Sequence, residues 1–231
     1  NWDEVSHGYN AYSILKTGHD EWGQPFPLAN FRAYGDYPLP LYMYLSMPGI
    51  SVVGLNEFSI RFPSALLGTL LVLLGFFLAR VVLKKNWLAL LTALLIAISP
   101  WTLLTSRQAL QATPALFFLA LGVWFFIKKD KRKWLPILGT ISLGLSAYAY
   151  HNTRILAPLI FVSLLLFYKD SLLKPKKTLL IVLTVAAIFF LPLTFILTST
   201  EGSARATWVG ILNQGAINQI NESRVNSTLK E

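Results

Sequence analysis

Three carboxylates in the first 62 residues are of a type that could take part in catalysis: Asp3, Glu4 and Asp36. A carboxylate that is partly shielded from water and within hydrogen-bond reach of a substrate can act as a general base. Structural explanations exist as well. Asp3 could stabilise the N-terminus of a helix through the helix macrodipole, and Asp36 stands beside Gly35 and close to Pro38, where aspartate often forms turns. The residue types alone leave both interpretations open.

A second set of residues could bind a phosphate, and these lie at the ends of apolar runs: Arg107, Tyr150, His151, Arg154 and Arg205. Arginine donates paired N–H groups to phosphate oxygens, but the same side chain also anchors proteins to lipid headgroups. His151 could contact a phosphate, cap a helix end, or join Asp36 in holding a cation. No spacing in the sequence is diagnostic of a metal site. A divalent metal ion is therefore left open as a cofactor.

The composition indicates a chain that folds in a lipid bilayer. Of the 231 residues, 54% are hydrophobic and only 13% are charged, which is too apolar for an ordinary soluble domain. The net charge of +9 is spread over short clusters between apolar runs and forms no basic stripe, so nucleic-acid binding is not expected. The absence of cysteine excludes disulfides and thiolate chemistry.

Hydropathy predicts six membrane spans, and the basic loops give their orientation. Lysine and arginine concentrate at 84–85, 128–133 and 169–177, which are every second connection. This alternation is typical of loops that face the cytoplasm. The fold class predicted is therefore an all-α polytopic membrane protein, with spans at about 63–83, 87–105, 112–127, 134–150, 155–168 and 178–197.

The orientation divides the chain into three parts. Residues 1–62 form an outer loop with interfacial helices predicted at 4–16 and 39–53, where Gly18 ends the first of them. Residues 63–197 form the transmembrane bundle, and residues 198–231 form an outer tail or the start of a further loop. Because the sequence begins without methionine, we expect a fragment that lacks a preceding membrane helix and a C-terminal part.

Several short motifs occur in a fixed order between these spans. After Asp3-Glu4 come GHDEWGQPFP at 18–27, GDYPLPLY at 35–42, GLNEFSIRFPSALLG at 54–68, Ser99-Pro100-Trp101 and YAYHNTR at 148–154. In this order the chain resembles the bacterial glycosyltransferase family 39 enzymes, their 4-amino-4-deoxy-L-arabinose transferase relatives and the protein O-mannosyltransferases. The resemblance implies a helical, membrane-embedded GT-C fold.

The resemblance also implies a reaction and roles for the residues. A sugar would move from a polyprenyl-phosphate carrier to an acceptor with inversion at the anomeric carbon, with Asp3 as the general base and Glu4 supporting it. Asp36 matches an acidic residue that reaches a divalent cation or the donor phosphate. The chain departs from the family where Pro38 and Leu39 replace a basic residue, and where Gln111 replaces an acidic one.

The partners implied are a polyprenyl-phosphate-linked sugar, a lipid, glycan or protein acceptor, and the lipid bilayer. The expected location is the plasma membrane of a bacterium or archaeon, with the active site on the extracytoplasmic side. A transporter or flippase is the alternative, although such proteins place ionisable residues in the middle of their spans. A noncatalytic membrane scaffold is the third interpretation, which the departures at Pro38 and Gln111 keep open.

Overall fold

The computed structural model describes residues 2–34, 36–128, 132–168, 176–199, 215, 217–219 and 221–223. The predicted site residue Arg205 and most of the predicted outer tail lie outside these ranges. Within them the chain forms no strand, only two isolated bridges, His19 to Pro25 and Ala33 to Asp36. The helices are α1 (Trp2–Thr17), α2 (Leu41–Val53), α3 (Glu57–Leu83), α4 (Asn86–Ile98), α5 (Pro100–Arg107), α6 (Ala112–Ile127), α7 (Leu135–Ala147), α8 (His151–Phe167) and α9 (Lys176–Thr198).

Helix length and composition identify the segments able to cross a bilayer. Helix α3 has 27 residues and α9 has 23, which at about 1.5 Å per residue exceeds a hydrocarbon core of about 30 Å. Helices α4 and α5 pass the same test only as a pair, bent by 55° at their break. Helices α2, α6, α7 and α8 are apolar but shorter. The all-α membrane fold is confirmed, while the count of six spans stays a prediction.

Local sequence signals account for where several helices begin and end. The side chain of Asn56 accepts a hydrogen bond from the Ser59 N–H, and the Ser59 hydroxyl accepts one from the Asn56 N–H. This capping box starts α3 six residues before the predicted span. Gly18, at φ 74°, ends α1 where predicted, because glycine adopts left-handed backbone without steric cost.

Helix α1 packs against the rest of the protein through a mixed face, on which polar side chains are buried beside Ala11 and Ile14. Glu4, Ser6, His7 and Asn10 are buried. The apolar side chains of Val5, Tyr9 and Leu15 are exposed. This arrangement agrees with a helix that presents its apolar side to lipid, and it leaves the buried polar groups in need of partners within the protein.

Two hydrogen bonds attach the first 62 residues to the connections that precede α6 and α8. The Leu41 N–H donates to the Tyr148 carbonyl over 3.1 Å, and the Gln111 side-chain amide donates to the Leu39 carbonyl over 2.8 Å. Helices α6 to α9 share an apolar core that includes Leu119, Leu143, Ala157, Val182 and Leu193. The first 62 residues are thereby fixed on one end of the bundle.

Helices α6 and α7 approach each other closely at two glycines. A Cβ atom added at Gly122 would lie 3.0 Å from the Gly139 carbonyl oxygen, and one added at Gly139 would lie 2.6 Å from the Phe126 ring. Small residues of this kind let membrane helices pack backbone to backbone.

Gly139→Val should therefore destabilise the bundle by about 1–3 kcal/mol, because the added atoms cannot be accommodated without moving α6. Thermal unfolding of the purified protein in detergent measures the change. Ala65→Val adds volume on the exposed side of α3 and should leave the midpoint unchanged. Equal midpoints for Gly139→Val and the wild type would contradict the packing described.

Candidate active site

Glu4 connects α1 to α3 and to the turn before α6. Its Oε1 accepts hydrogen bonds from the Arg61 Nε (2.9 Å) and the Ala109 N–H (2.8 Å), and its Oε2 accepts one from the Arg61 Nη2 (2.9 Å). The ion pair with Arg61, together with the Ala109 N–H, lowers the pKa of Glu4 to about 2. A carboxylate with such a low pKa is a weak proton acceptor, so the contacts of Glu4 favour a structural role. The supporting catalytic role predicted for Glu4 stays a prediction.

His7 binds the same turn from one helical turn further along α1. Its Nδ1 donates to the Ala109 carbonyl over 3.0 Å, and its ring packs 5.3 Å from that of Tyr42. Burial lowers the pKa of His7, which favours the neutral imidazole. Glu4 and His7 together satisfy both backbone groups of Ala109. Sequence reasoning missed His7, although its spacing of three residues from Glu4 places the two on one helix face.

A cavity of about 240 Å³ opens beside this contact, and two of the three predicted carboxylates line it. Asp3 lines it from the first turn of α1, and Asp36 lines it from the turn that follows Ala33. Tyr150, which precedes α8, lines the same cavity. The remaining lining residues are Ser6, His7, Ala33, Pro38, Trp101, Thr105, Leu110, Gln111 and Ala112.

Asp36 forms the turn that the sequence allowed, and its site role stays a prediction. Its backbone N–H and carbonyl exchange hydrogen bonds with Ala33 at 2.8 and 2.9 Å, and its Oδ1 accepts from the Tyr37 N–H at 2.8 Å. These contacts form the turn. The residue nevertheless lines the cavity opposite Asp3's helix, so the turn also positions a second carboxylate there.

Arg154 is the most deeply buried cation among the described residues. The residue is 2% exposed, and its Nη2 donates to the Ala29 carbonyl over 2.9 Å. Its Nε and Nη1 are buried and have no hydrogen-bond partner within the described part of the chain. Such donors are costly to bury without an acceptor. The Nε–H and the two N–H bonds of Nη1 are therefore donors that no described residue uses.

Arg154 also lines an apolar groove between α8 and α9. The groove measures about 540 Å³, and Pro158, Val162, Phe190 and Leu197 are among its walls. Tyr150 is the residue before α8, and Arg154 lies in the first turn of that helix. The N-terminal turn of α8 thus lies between a polar cavity and an apolar groove.

The other predicted site residues are placed differently. Arg107 ends α5, is exposed and does not line the cavity. His151 is the first residue of α8, half-buried, with its ring 6.4 Å from that of Tyr150. The residues described contain no group of three His, Asp or Glu side chains able to hold a metal ion. The metal site at Asp36 and His151 stays a prediction.

The Glu4 ion pair makes stability depend on pH. The Glu4 pKa falls from its ordinary value of 4.5 to about 2 on folding, so the stabilisation is complete above about pH 4.5 and is lost as the pH drops towards 2. Glu4→Gln should lower the free energy of unfolding at pH 7 by about 1–2 kcal/mol, since water still screens the partly exposed Arg61. It should also flatten the decline in stability below pH 4.5. Thermal unfolding across this range measures both effects.

Glu57→Gln is the matched control. Glu57 also pairs with Arg61, at 3.0 Å, but its side chain is 83% exposed. This variant should keep the wild-type stability and its acid-induced loss. The same pH profile in the Glu4 and Glu57 variants would contradict the assignment of this contact as the main link between α1 and the bundle.

Comparison with known proteins gives the family. A family model described as dolichyl-phosphate-mannose-protein mannosyltransferase matches residues 36–196, which is more than half of the chain. An uncharacterized protein of Aquifex aeolicus (strain VF5) is 29% identical over 179 residues, covering 75% of this chain. The chain spans only 35% of that relative. No solved structure matches the chain significantly.

The matched range includes Asp36, Arg107, Tyr150, His151 and Arg154, while Asp3 and Glu4 precede it. The family match confirms the resemblance that the ordered motifs indicated. The chain belongs to the dolichyl-phosphate-mannose-protein mannosyltransferase family.

Proposed function

We propose that this protein is a membrane glycosyltransferase that moves a sugar from a polyprenyl-phosphate carrier to an acceptor on the non-cytoplasmic face of the membrane. The observation that carries the proposal is the pairing of two sites at the start of α8. One is a small cavity with Asp3 and Asp36, and the other is an apolar groove with the buried guanidinium of Arg154. A lipid-linked sugar phosphate has matching polar and apolar parts.

The size of each space supports placing the sugar of the donor in the cavity and its lipid chain in the groove. The carboxylate cavity, at about 240 Å³, is smaller than the roughly 300–1,000 Å³ of pockets that enclose drug-sized ligands. It suits one sugar and excludes a long polyprenyl chain. The α8–α9 groove is larger and apolar, and it suits part of that chain.

The phosphate would lie between the two spaces, at Arg154. The Nε–H and Nη1–H groups, which no described residue uses, can each donate a hydrogen bond to a phosphate oxygen. The first N–H groups of α8 add a partial positive charge beside them. Both features stabilise negative charge on the departing phosphate most strongly as the bond to the sugar breaks.

The reaction proposed is a single displacement. An acceptor hydroxyl or amine attacks the anomeric carbon, and Asp3 accepts its proton. The bond between that carbon and the phosphate oxygen breaks, and its electron pair leaves with the polyprenyl phosphate. Phosphate departs readily without a proton, so one base is enough. The attack comes from the side opposite the phosphate, and the anomeric configuration inverts.

Asp3→Asn tests the base. It should lower the rate of transfer by about 10²–10⁴-fold while membrane insertion stays intact, because asparagine keeps the shape of the side chain but cannot accept the proton. The measurement is the release of dolichyl phosphate from dolichyl-phosphate mannose by the full-length protein in lipid nanodiscs. Glu57→Gln removes an exposed carboxylate elsewhere and should leave the rate unchanged. Wild-type turnover by Asp3→Asn would refute the assignment of the base.

Arg154→Gln tests the phosphate site. It should weaken inhibition by dolichyl phosphate by about 10–100-fold, since the charge and the paired donors are both lost. Arg154→Lys keeps the positive charge but replaces the planar guanidinium with a single amino group, so it should give an intermediate inhibition constant. Arg80→Gln is the control for general loss of positive charge. Arg80 lies in the last turn of α3 and lines neither the cavity nor the groove. Unchanged inhibition in both Arg154 variants, with the fold intact by circular dichroism, would exclude this site.

A further inference from the structure

Trp101 is an exposed aromatic residue that faces the carboxylate cavity. Its side chain lies on the first turn of α5, and the residue is 71% exposed although it lines the cavity. Thr105, one turn further on, lines the same cavity, so one side of α5 forms a wall of it. The opposite side of α5, with Thr102, Leu103 and Ser106, lines a separate apolar groove against α3 and α4.

The break between α4 and α5 determines this placement. Pro100 occupies the first turn of α5, where it needs no N–H partner, and the two helices diverge by 55°. The single O–H of Thr102 lies within hydrogen-bond distance of the Ile96 and Ser99 carbonyls, so it can satisfy one acceptor at the break. The direction of α5, and with it the position of Trp101, is therefore fixed by local structure.

Two other exposed tryptophans, Trp87 and Trp22, have different surroundings. Trp87 is the second residue of α4, at the end of that helix far from α5. It is 62% exposed and does not line the cavity. Its position is typical of the aromatic belts at membrane interfaces. The Trp22 indole N–H donates to the Arg32 carbonyl, and the Arg32 guanidinium lies 4.4 Å from the Trp22 ring. Of these three indoles, Trp101 is the one beside the carboxylates.

We propose that the sugar of the donor stacks on the indole of Trp101, which makes Trp101 a specificity-determining residue for the sugar. The proposal rests on the glycosyltransferase function proposed above. A sugar ring has an apolar C–H face and a rim of hydroxyl groups. The negative face of an indole attracts such C–H groups, while carboxylates accept hydrogen bonds from the hydroxyls. The cavity offers both kinds of partner, with Asp3 and Asp36 supplying the acceptors.

The test separates recognition of the sugar from recognition of the lipid phosphate. The full-length protein in nanodiscs is given dolichyl-phosphate mannose as substrate and dolichyl phosphate as a competitor without sugar. Trp101→Leu should raise the KM for dolichyl-phosphate mannose about tenfold, because the stacking surface is lost. The inhibition constant for dolichyl phosphate should stay the same. Trp101→Phe keeps an aromatic face and should give an intermediate KM.

Trp87→Leu is the matched control, since it removes an exposed tryptophan from the opposite end of α4. Its KM and inhibition constant should both equal those of the wild type. Unchanged KM in both Trp101 variants would overturn the stacking proposal, and so would an equal rise in KM and in the inhibition constant. A wild-type protein that releases no dolichyl phosphate would instead refute the proposed function itself.

Discussion

The contact between α1 and the Ala109 turn is the interaction on which the site depends. Glu4 accepts from the Ala109 N–H and pairs with Arg61, and His7 donates to the Ala109 carbonyl. Glu4, His7 and Ala109 are buried, so their polar groups would be costly without partners. The contact therefore specifies one position of α1 on the bundle. That position places Asp3 at the rim of the same cavity that Asp36 and Tyr150 line.

The start of α8 organises the second half of the site. Tyr150 contributes to the polar cavity, and one turn later Arg154 contributes to the apolar groove shared with α9. The segment 1–62 contacts this helix start because the Ala29 carbonyl accepts one of the Arg154 N–H groups. Residues at the start of α8 thus line both a polar space and an apolar space. In the function proposed above, the two spaces would hold the two parts of a lipid-linked phosphate.

Hydropathy indicated the approximate positions of the apolar helices, because a bilayer requires long apolar runs whose backbone groups bond internally. It did not locate the break at Ser99 within the predicted span 87–105, where Pro100 begins a second helix at 55° to the first. Nor did it place the start of α3 at Glu57, which follows from the capping box at Asn56 and Ser59. Both features depend on local hydrogen bonds that an averaged hydropathy does not contain.

The sequence by itself determined the membrane-embedded helical class, the family and the residue types able to do the chemistry, because these follow from composition and from motifs in order along the chain. Only the tertiary structure decided which of these residues share a space. Asp3 and Asp36 line one cavity with Trp101, Glu4 is held by Arg61, and Arg107 lies outside that cavity. Contacts between residues far apart in the chain depend on how α1, α5 and α8 pack, and packing is a property of the whole fold.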